Sequence, residues 1–187
     1  MTAISGASGM IYAKRLLEVL PSYYQQIYLC ASDNALKVAK HELNISTIQG
    51  FLPNDTSKFK IFSPDDMFAP PASGSHKYDG IIIAPCSMGM LGRIAAGVSD
   101  DLITRAVDVC IKERRKVILV VRESPYSLIH LKNMTKLTEA GAIILPASPA
   151  FYNHPQNISD MVDFIVDRIL SSLGLNSNLV KGWGEDC

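Results

Sequence analysis

Ile81-Ile82-Ile83-Ala84-Pro85-Cys86-Ser87 and Val117-Ile118-Leu119-Val120-Val121-Arg122-Glu123 are unbroken apolar runs that end abruptly in polar, chemically capable residues. A strand that is apolar on both faces belongs in the middle of a parallel sheet covered by helices. Open sheets of that kind bind ligands just beyond the carboxyl ends of their strands. The two runs therefore place Ser87, Arg122 and Glu123 where a ligand is expected.

Working outward, apolar runs at Thr2–Ser5, Gln26–Ala31, Lys58–Phe62, Gly80–Ala84, Lys116–Val121 and Ala142–Leu145 alternate with helical patterns. The helical patterns fall at Met10–Leu20, Asn34–His41, Ser87–Ala96, Asp101–Arg114, Ser127–Ala140 and Ile158–Leu173. This βα alternation predicts a doubly wound, six-stranded parallel sheet between two layers of helices. Ser159-Asp160 reads as the start of the last helix and Gly174 as its end. Lys112, Arg114 and Arg115 read as the last turn of theirs, where cations offset the helix dipole. The stretches 44–57 and 63–78 break the alternation; the second contains Ala69-Pro70-Pro71-Ala72-Ser73-Gly74-Ser75. Loops of that length are functional or lie at interfaces.

Composition narrows the function classes. With 187 residues, 48% hydrophobic and 19% charged, residues 1–187 fit one domain. Lys+Arg and Asp+Glu balance at 18 each, so no global field attracts nucleic acid or an anionic membrane. No apolar run approaches the roughly 20 residues of a membrane span, which predicts a soluble cytoplasmic protein. Cys30, Cys86, Cys110 and Cys187 form no C-x-x-C pair, and His41, His76, His130 and His154 form no metal-binding pattern, so no metal site is expected.

Five strand ends send polar or anion-binding groups to one rim. Gly6-Ala7-Ser8-Gly9 follows the first strand and opens a helix, an arrangement suited to a phosphate. Ser32, Ser87, Arg122-Glu123 and the stretch from Pro146 to Tyr152 follow others. Each serine also has a plain role as a helix cap. A dinucleotide fingerprint needs a further small residue where this chain has Ile11 and Tyr12, which argues against a nicotinamide cofactor.

The blocks Gly6–Gly9, Ala69–Ser75, Ala84–Ser87, Asp101–Ala106, Lys112–Arg115, Arg122–Pro125, His130–Met134 and Pro149–Tyr152, in that order, resemble the signature blocks of the UbiX-type flavin prenyltransferases, of the flavin-containing cysteine decarboxylase superfamily. The resemblance implies a Rossmann-like flavoprotein fold. It implies transfer of a dimethylallyl group from dimethylallyl monophosphate to N5 and C6 of reduced FMN. The product, prenylated FMN, is the cofactor of UbiD-type decarboxylases acting in ubiquinone synthesis or aromatic-acid metabolism. Carried over residue by residue, the FMN contacts fall on Gly6, Ala7, Ser8, Ser32, Ser87, Met88, Gly89, Met90 and Arg122. The prenyl phosphate falls to Lys112, Tyr152 and Arg168, with Arg105 nearby. Ser8, Glu42, Glu123 and Lys112 are the implied catalytic groups. Trp183, in a tail at 174–187, is the implied aromatic that closes the site. Many relatives carry Trp where this chain has Met67. The family also implies a homo-oligomer, a dodecamer, with sites completed by neighbouring chains.

The residues leave competing roles open: an Arg168 ion pair with Asp163 or Asp167, an Arg122–Glu123 salt bridge, and a packing role for Tyr152. Two other functions compete as well. An FMN-dependent cysteine-type decarboxylase would carry a Pro-Ala-Ser-Ala-Asn-Thr block where this chain has Pro85-Cys86-Ser87-Met88-Gly89-Met90. A non-catalytic FMN carrier would need no second phosphate site.

Overall fold

The computed structural model describes residues 1–182. Strands β1 (Thr2–Ile4), β2 (Ile27–Ala31), β3 (Phe59–Ile61), β4 (Gly80–Cys86), β5 (Lys116–Val121) and β6 (Ile143–Pro146) alternate with helices α1 (Met10–Val19), α2 (Asp33–Leu43), α3 (Met88–Ala95), α4 (Leu102–Lys112), α5 (Leu128–Glu139) and α6 (Ile158–Leu173). The strands form one parallel sheet in the order β3-β2-β1-β4-β5-β6. The chain winds outward from β1 in one direction and from β4 in the other, so a crevice opens between their carboxyl ends.

The period-two geometry of a strand explains the apolar runs. Ile81, Ile83, Val117, Leu119 and Val121 point to one face, packing under Leu91 and Ile94 of α3, Ile103 and Val107 of α4 and Leu137 of α5. Ile82, Ala84, Ile118 and Val120 point to the other, under Leu16 of α1 and Val162, Ile165 and Ile169 of α6. Ile4 and Leu29 meet Met10, Ala13 and Ala39 of α1 and α2. Cys30, Cys86 and Cys110 are buried free thiols, and burial pushes Cys86 up to about 12.

Three local readings are corrected. Strand β4 continues through Pro85 and Cys86, with a register shift between Ile83 and Cys86 that admits a residue lacking an N–H. Helix α6 is opened by Asn157, whose side chain accepts from Asp160 N in a reciprocal capping box. Helix α4 ends at Lys112, and Arg114 adopts a left-handed φ of 57°. Arg115, beyond the helix, donates to His76 O (2.9 Å) and Gly74 O (2.7 Å) and stacks on Tyr78 at 4.7 Å. The basic run thus straps the Pro-rich loop to the body. Among the described residues no helix is long and apolar enough to cross a membrane.

Candidate active site

The turn after β1 is shaped by close approach. A Cβ on Gly6 would stand 2.7 Å from Asn34 Cβ, and Gly9 holds φ at 103°. Helix α2 reaches this turn at both ends: Asn34 lies against Gly6, and Glu42, eight residues on, accepts from Gly9 N (3.0 Å) and Met10 N (2.8 Å). Burial alone would raise the Glu42 pKa, but hydrogen bonds from Ser8, Met10 and Gly9 and the charge of Arg122 outweigh it and lower the pKa. Glu42 thus occupies part of the turn at which a phosphate is expected. Two of the N–H groups such an anion would use are already bonded to a carboxylate.

Open donors are also found at the β4–α3 junction. Ser87 Oγ caps α3 by accepting from Met90 N (3.2 Å), and the Met88 and Met90 side chains are packed into the core. Met90 is therefore inward in both its side chain and its N–H. The N–H groups of Met88 and Gly89 have no partner among the described residues, as expected for a first helical turn. Gly89 is exposed, with no heavy atom within 4 Å of the place a Cβ would occupy. A planar ring or an anion has room to approach there. Ser32 likewise caps α2, accepting from Ala35 N. The plain role of both serines is real, and it is the neighbouring backbone that remains open.

Arg122, at the end of β5, donates from Nε to Ser8 O (3.1 Å), which holds its guanidinium over the glycine turn. Glu123 is half-buried and accepts from Ser124 N (3.1 Å). No ion pair joins Arg122 and Glu123 among the described residues. Gly6, Ala7, Ser8, Glu42, Arg122, Ser87, Met88 and Gly89 thus converge on the crevice, with Ser32 and Glu123 at its borders.

The expected phosphate-binding residues do not gather there. Helix α4 begins at Leu102, whose N–H donates to Pro64 O beyond β3, and descends eleven residues, about 15 Å, to Lys112. Lys112 lies beside the start of β5, at the end of the sheet opposite the crevice, paired with Glu113 and facing Gly74. Arg105, on the same helix, donates to Ala72 O and Asp108. Arg168 lines a groove of about 340 Å³ between β6 and α6 with Ser148, Phe164 and Ser172. It makes no ion pair among the described residues, and Asp163 is taken by Arg15 at 2.6 Å. Tyr152 sets its ring edge-on to Phe164 at 6.1 Å. Next to it, Asn153 Oδ1 is buried without a hydrogen-bond partner. Met67 and the fully exposed Phe68 face outward on the loop strapped to α4. Trp183 lies outside the described residues. Sequence reasoning missed Ser5, Asn34 and Asn153, and the only available signal was the position of Ser5 immediately before the glycine turn.

Known proteins resemble this chain in sequence and fold. The Flavoprotein family profile matches residues 1–170. The flavin prenyltransferase UbiX of Methanocaldococcus jannaschii is 46% identical, over 98% of this chain and 97% of that protein. That of Pseudomonas aeruginosa is 42% identical, over 98% and 92%. The crystal structure of AnUbiX (PadA1) in complex with FMN and dimethylallyl pyrophosphate superposes with a TM-score of 0.90 at 37% identity, covering 98% of this chain and 95% of that one. A dodecameric FMN-dependent UbiX-like decarboxylase from Escherichia coli O157:H7 superposes at 0.88 with 36% identity, covering 98% and 99%. PPC decarboxylase and the cysteine decarboxylase TvaF, at 16% and 15% identity, share the fold alone. On similarity over nearly its whole length, the chain belongs to the UbiX family of flavin prenyltransferases.

Proposed function

We infer that this protein transfers a dimethylallyl group to reduced FMN, giving prenylated FMN for a UbiD-type decarboxylase. The observation that carries the reading is the crevice at the β1/β4 divergence. Its open backbone donors at Met88 and Gly89, the close-packed turn at Gly6 and the Arg122 guanidinium together suit a flavin phosphate and ring. The relative whose crystal structure is in complex with FMN and dimethylallyl pyrophosphate is similar over nearly its whole length.

Bound reduced FMN supplies N5 as the nucleophile and C6 as the second carbon at which the added ring is closed. This chain's residues have three tasks. The first is to stabilise the departing phosphate as its bond to the allylic carbon breaks, which calls for cations and a proton donor. Lys112, Arg105, Arg168 and the Tyr152 hydroxyl are the groups proposed for it. The second is proton handling: N5 loses its proton on alkylation, to the departing phosphate, and ring closure adds one proton to the prenyl double bond as C6 loses one; Glu123, with Ser8 held by Glu42, is proposed to carry these protons. The third is exclusion of water from an allylic centre, proposed for Met67, Pro70 and Pro71. Because Lys112 and Arg105 sit away from the crevice of their own chain, we propose that they serve the crevice of a neighbouring copy in a homo-oligomer.

The test is anaerobic incubation of the protein with reduced FMN and either dimethylallyl monophosphate or the pyrophosphate, followed by mass analysis of the released flavin. A gain of one C5H8 unit is expected with the monophosphate. Unchanged FMN with both donors overturns the reading in favour of a flavin carrier or a thiol decarboxylase.

A further inference from the structure

Ser5 is 1% exposed and stands between the last residue of β1 and the glycine turn. The ladder joining β1 to β4 covers only Thr2↔Ile82 and Ala3↔Ile83. Beyond that point the ladder between β1 and β4 ends, while β4 shifts register against β5 on its other side. Ser5 fills the gap. Its N–H and its hydroxyl both donate to Pro85 O, at 3.2 and 3.0 Å, and the same hydroxyl accepts from Ser87 N at 2.9 Å.

Three consequences follow from those bonds. The hydroxyl is used as donor and acceptor at once, so its orientation is fixed. The N–H of Ser87 is drawn inward, leaving Ser87 Oγ to cap α3 and the N–H groups of Met88 and Gly89 as the donors that face the crevice. The residue before Gly6 is also tied directly to the residue before Met88, so a single side chain fixes the spacing of the two lips of the crevice. Alanine at this position would leave the Ser87 N–H without its acceptor in a buried place, where an unmade hydrogen bond is costly.

The geometry points to Ser5 as a positioning residue that sets the separation of the glycine turn and the α3 N-terminus around the flavin. It acts through Gly6 and Ser87, and the proposal rests on the flavin reading of this crevice. Thr2, equally buried at the other end of β1, makes no corresponding side-chain bridge to β4 among the described residues.

The test uses apoprotein of the wild type, Ser5→Ala, Ser5→Thr and the core control Ile118→Val. Each is titrated with FMN while flavin fluorescence and the visible circular dichroism of the bound ring are followed, and each is melted without ligand. Ser5→Ala is expected to bind FMN about 10-fold more weakly and to change the dichroism of the ring. Ser5→Thr, which keeps the hydroxyl, is expected to bind within about 3-fold of wild type. Ile118→Val is expected to lower the melting temperature with the FMN constant and spectrum unchanged. Wild-type affinity and spectrum in Ser5→Ala overturn the proposal, as does a Thr variant that folds but binds as weakly as the Ala variant. An equal loss of flavin binding in Ile118→Val also overturns it. Should Ser5→Ala not fold, Ser5→Thr against Ser5→Val, nearly equal in shape, carries the same comparison. Failure of wild-type protein to bind FMN removes the flavin reading itself, an outcome separate from wild-type binding with an unaffected Ser5→Ala.

Discussion

The two ends of the sheet are built on different principles. At the carboxyl end, the crevice is assembled from one chain by short-range constraints. Gly6 packs on Asn34, Glu42 clasps Gly9 and Met10, and Arg122 is held to Ser8 O. At the amino end, Lys112 and Arg115 stand on an outer surface with the Pro-rich loop, and the groups nearest them are loop carbonyls and Glu113. Arg105, partway along the same helix, likewise bonds to a loop carbonyl at Ala72. The difference teaches that one end of the sheet is organised by contacts within the turn it shapes, while the other displays its cations on a loop-bearing surface, the arrangement that the proposed service to a neighbouring copy requires.

The strongest way to break that contrast is to separate the two halves genetically. Under the proposed roles, in which both charges offset developing phosphate or flavin charge, Arg122→Ala and Lys112→Ala are each expected to reduce prenyl transfer by about 100-fold or more. Co-assembling the two inactive proteins should restore measurable turnover, because some crevices then receive an intact Arg122 and a neighbour's intact Lys112. No recovery would place both residues in the same chain's site.

Within the crevice, two glycines sharpen the comparison. Gly6→Ala forces its Cβ toward Asn34 and is expected to cost about 1–3 kcal/mol of stability along with flavin affinity. Gly89→Ala meets nothing and lies in a helix, so stability should rise by about 0.5–1 kcal/mol. Its flavin affinity should nonetheless fall, because the methyl enters the open space. Thermal melts with parallel FMN titrations decide both.

A smaller effect is expected from Glu42→Gln. The folded-state pKa of Glu42 is lowered, so its carboxylate stabilises the fold above its ordinary value of 4.5, and that contribution disappears as pH falls through the folded value. The melting-temperature gap between wild type and variant should be full at pH 7 and close on acidification below about 4.5. A gap independent of pH would remove the charge from the account.

The smallest effect on the flavin, none at all, is expected at the other end. Arg115→Ala removes two hydrogen bonds and a ring contact from loop 74–78. A loss of about 1–2 kcal/mol is expected, or a few degrees in melting temperature, with FMN affinity untouched.

The strands and helices were legible because both signals are local. An apolar run at period two and a polar break beside a serine or aspartate do not depend on distant residues. The rim was legible for the same reason, since Ser32, Ser87 and Arg122 directly follow their strands. What could not be read were contacts between segments far apart in the chain. Glu42 on Gly9 spans 33 residues and Ser5 on Ser87 spans 82. The first of these occupies two N–H groups of the glycine turn, and the second joins the residue after β1 to the residue after β4. Arg115 was misplaced because a left-handed turn at Arg114 is rare for a non-glycine residue and leaves no mark in composition.

Strands β4 and β5 are buried almost throughout, covered on both faces and flanked by strands on both edges. Backbone amides in such a position exchange with solvent deuterium only when the whole molecule opens, whereas those of frayed loops exchange through local fluctuations. The amides of Ile82, Ile83, Leu119 and Val120 should therefore be the last to label. Ser87 and Arg122, one residue beyond that slowest-exchanging unit, inherit its permanence, and a ligand leaving the crevice should do so without any of the central sheet becoming labelled.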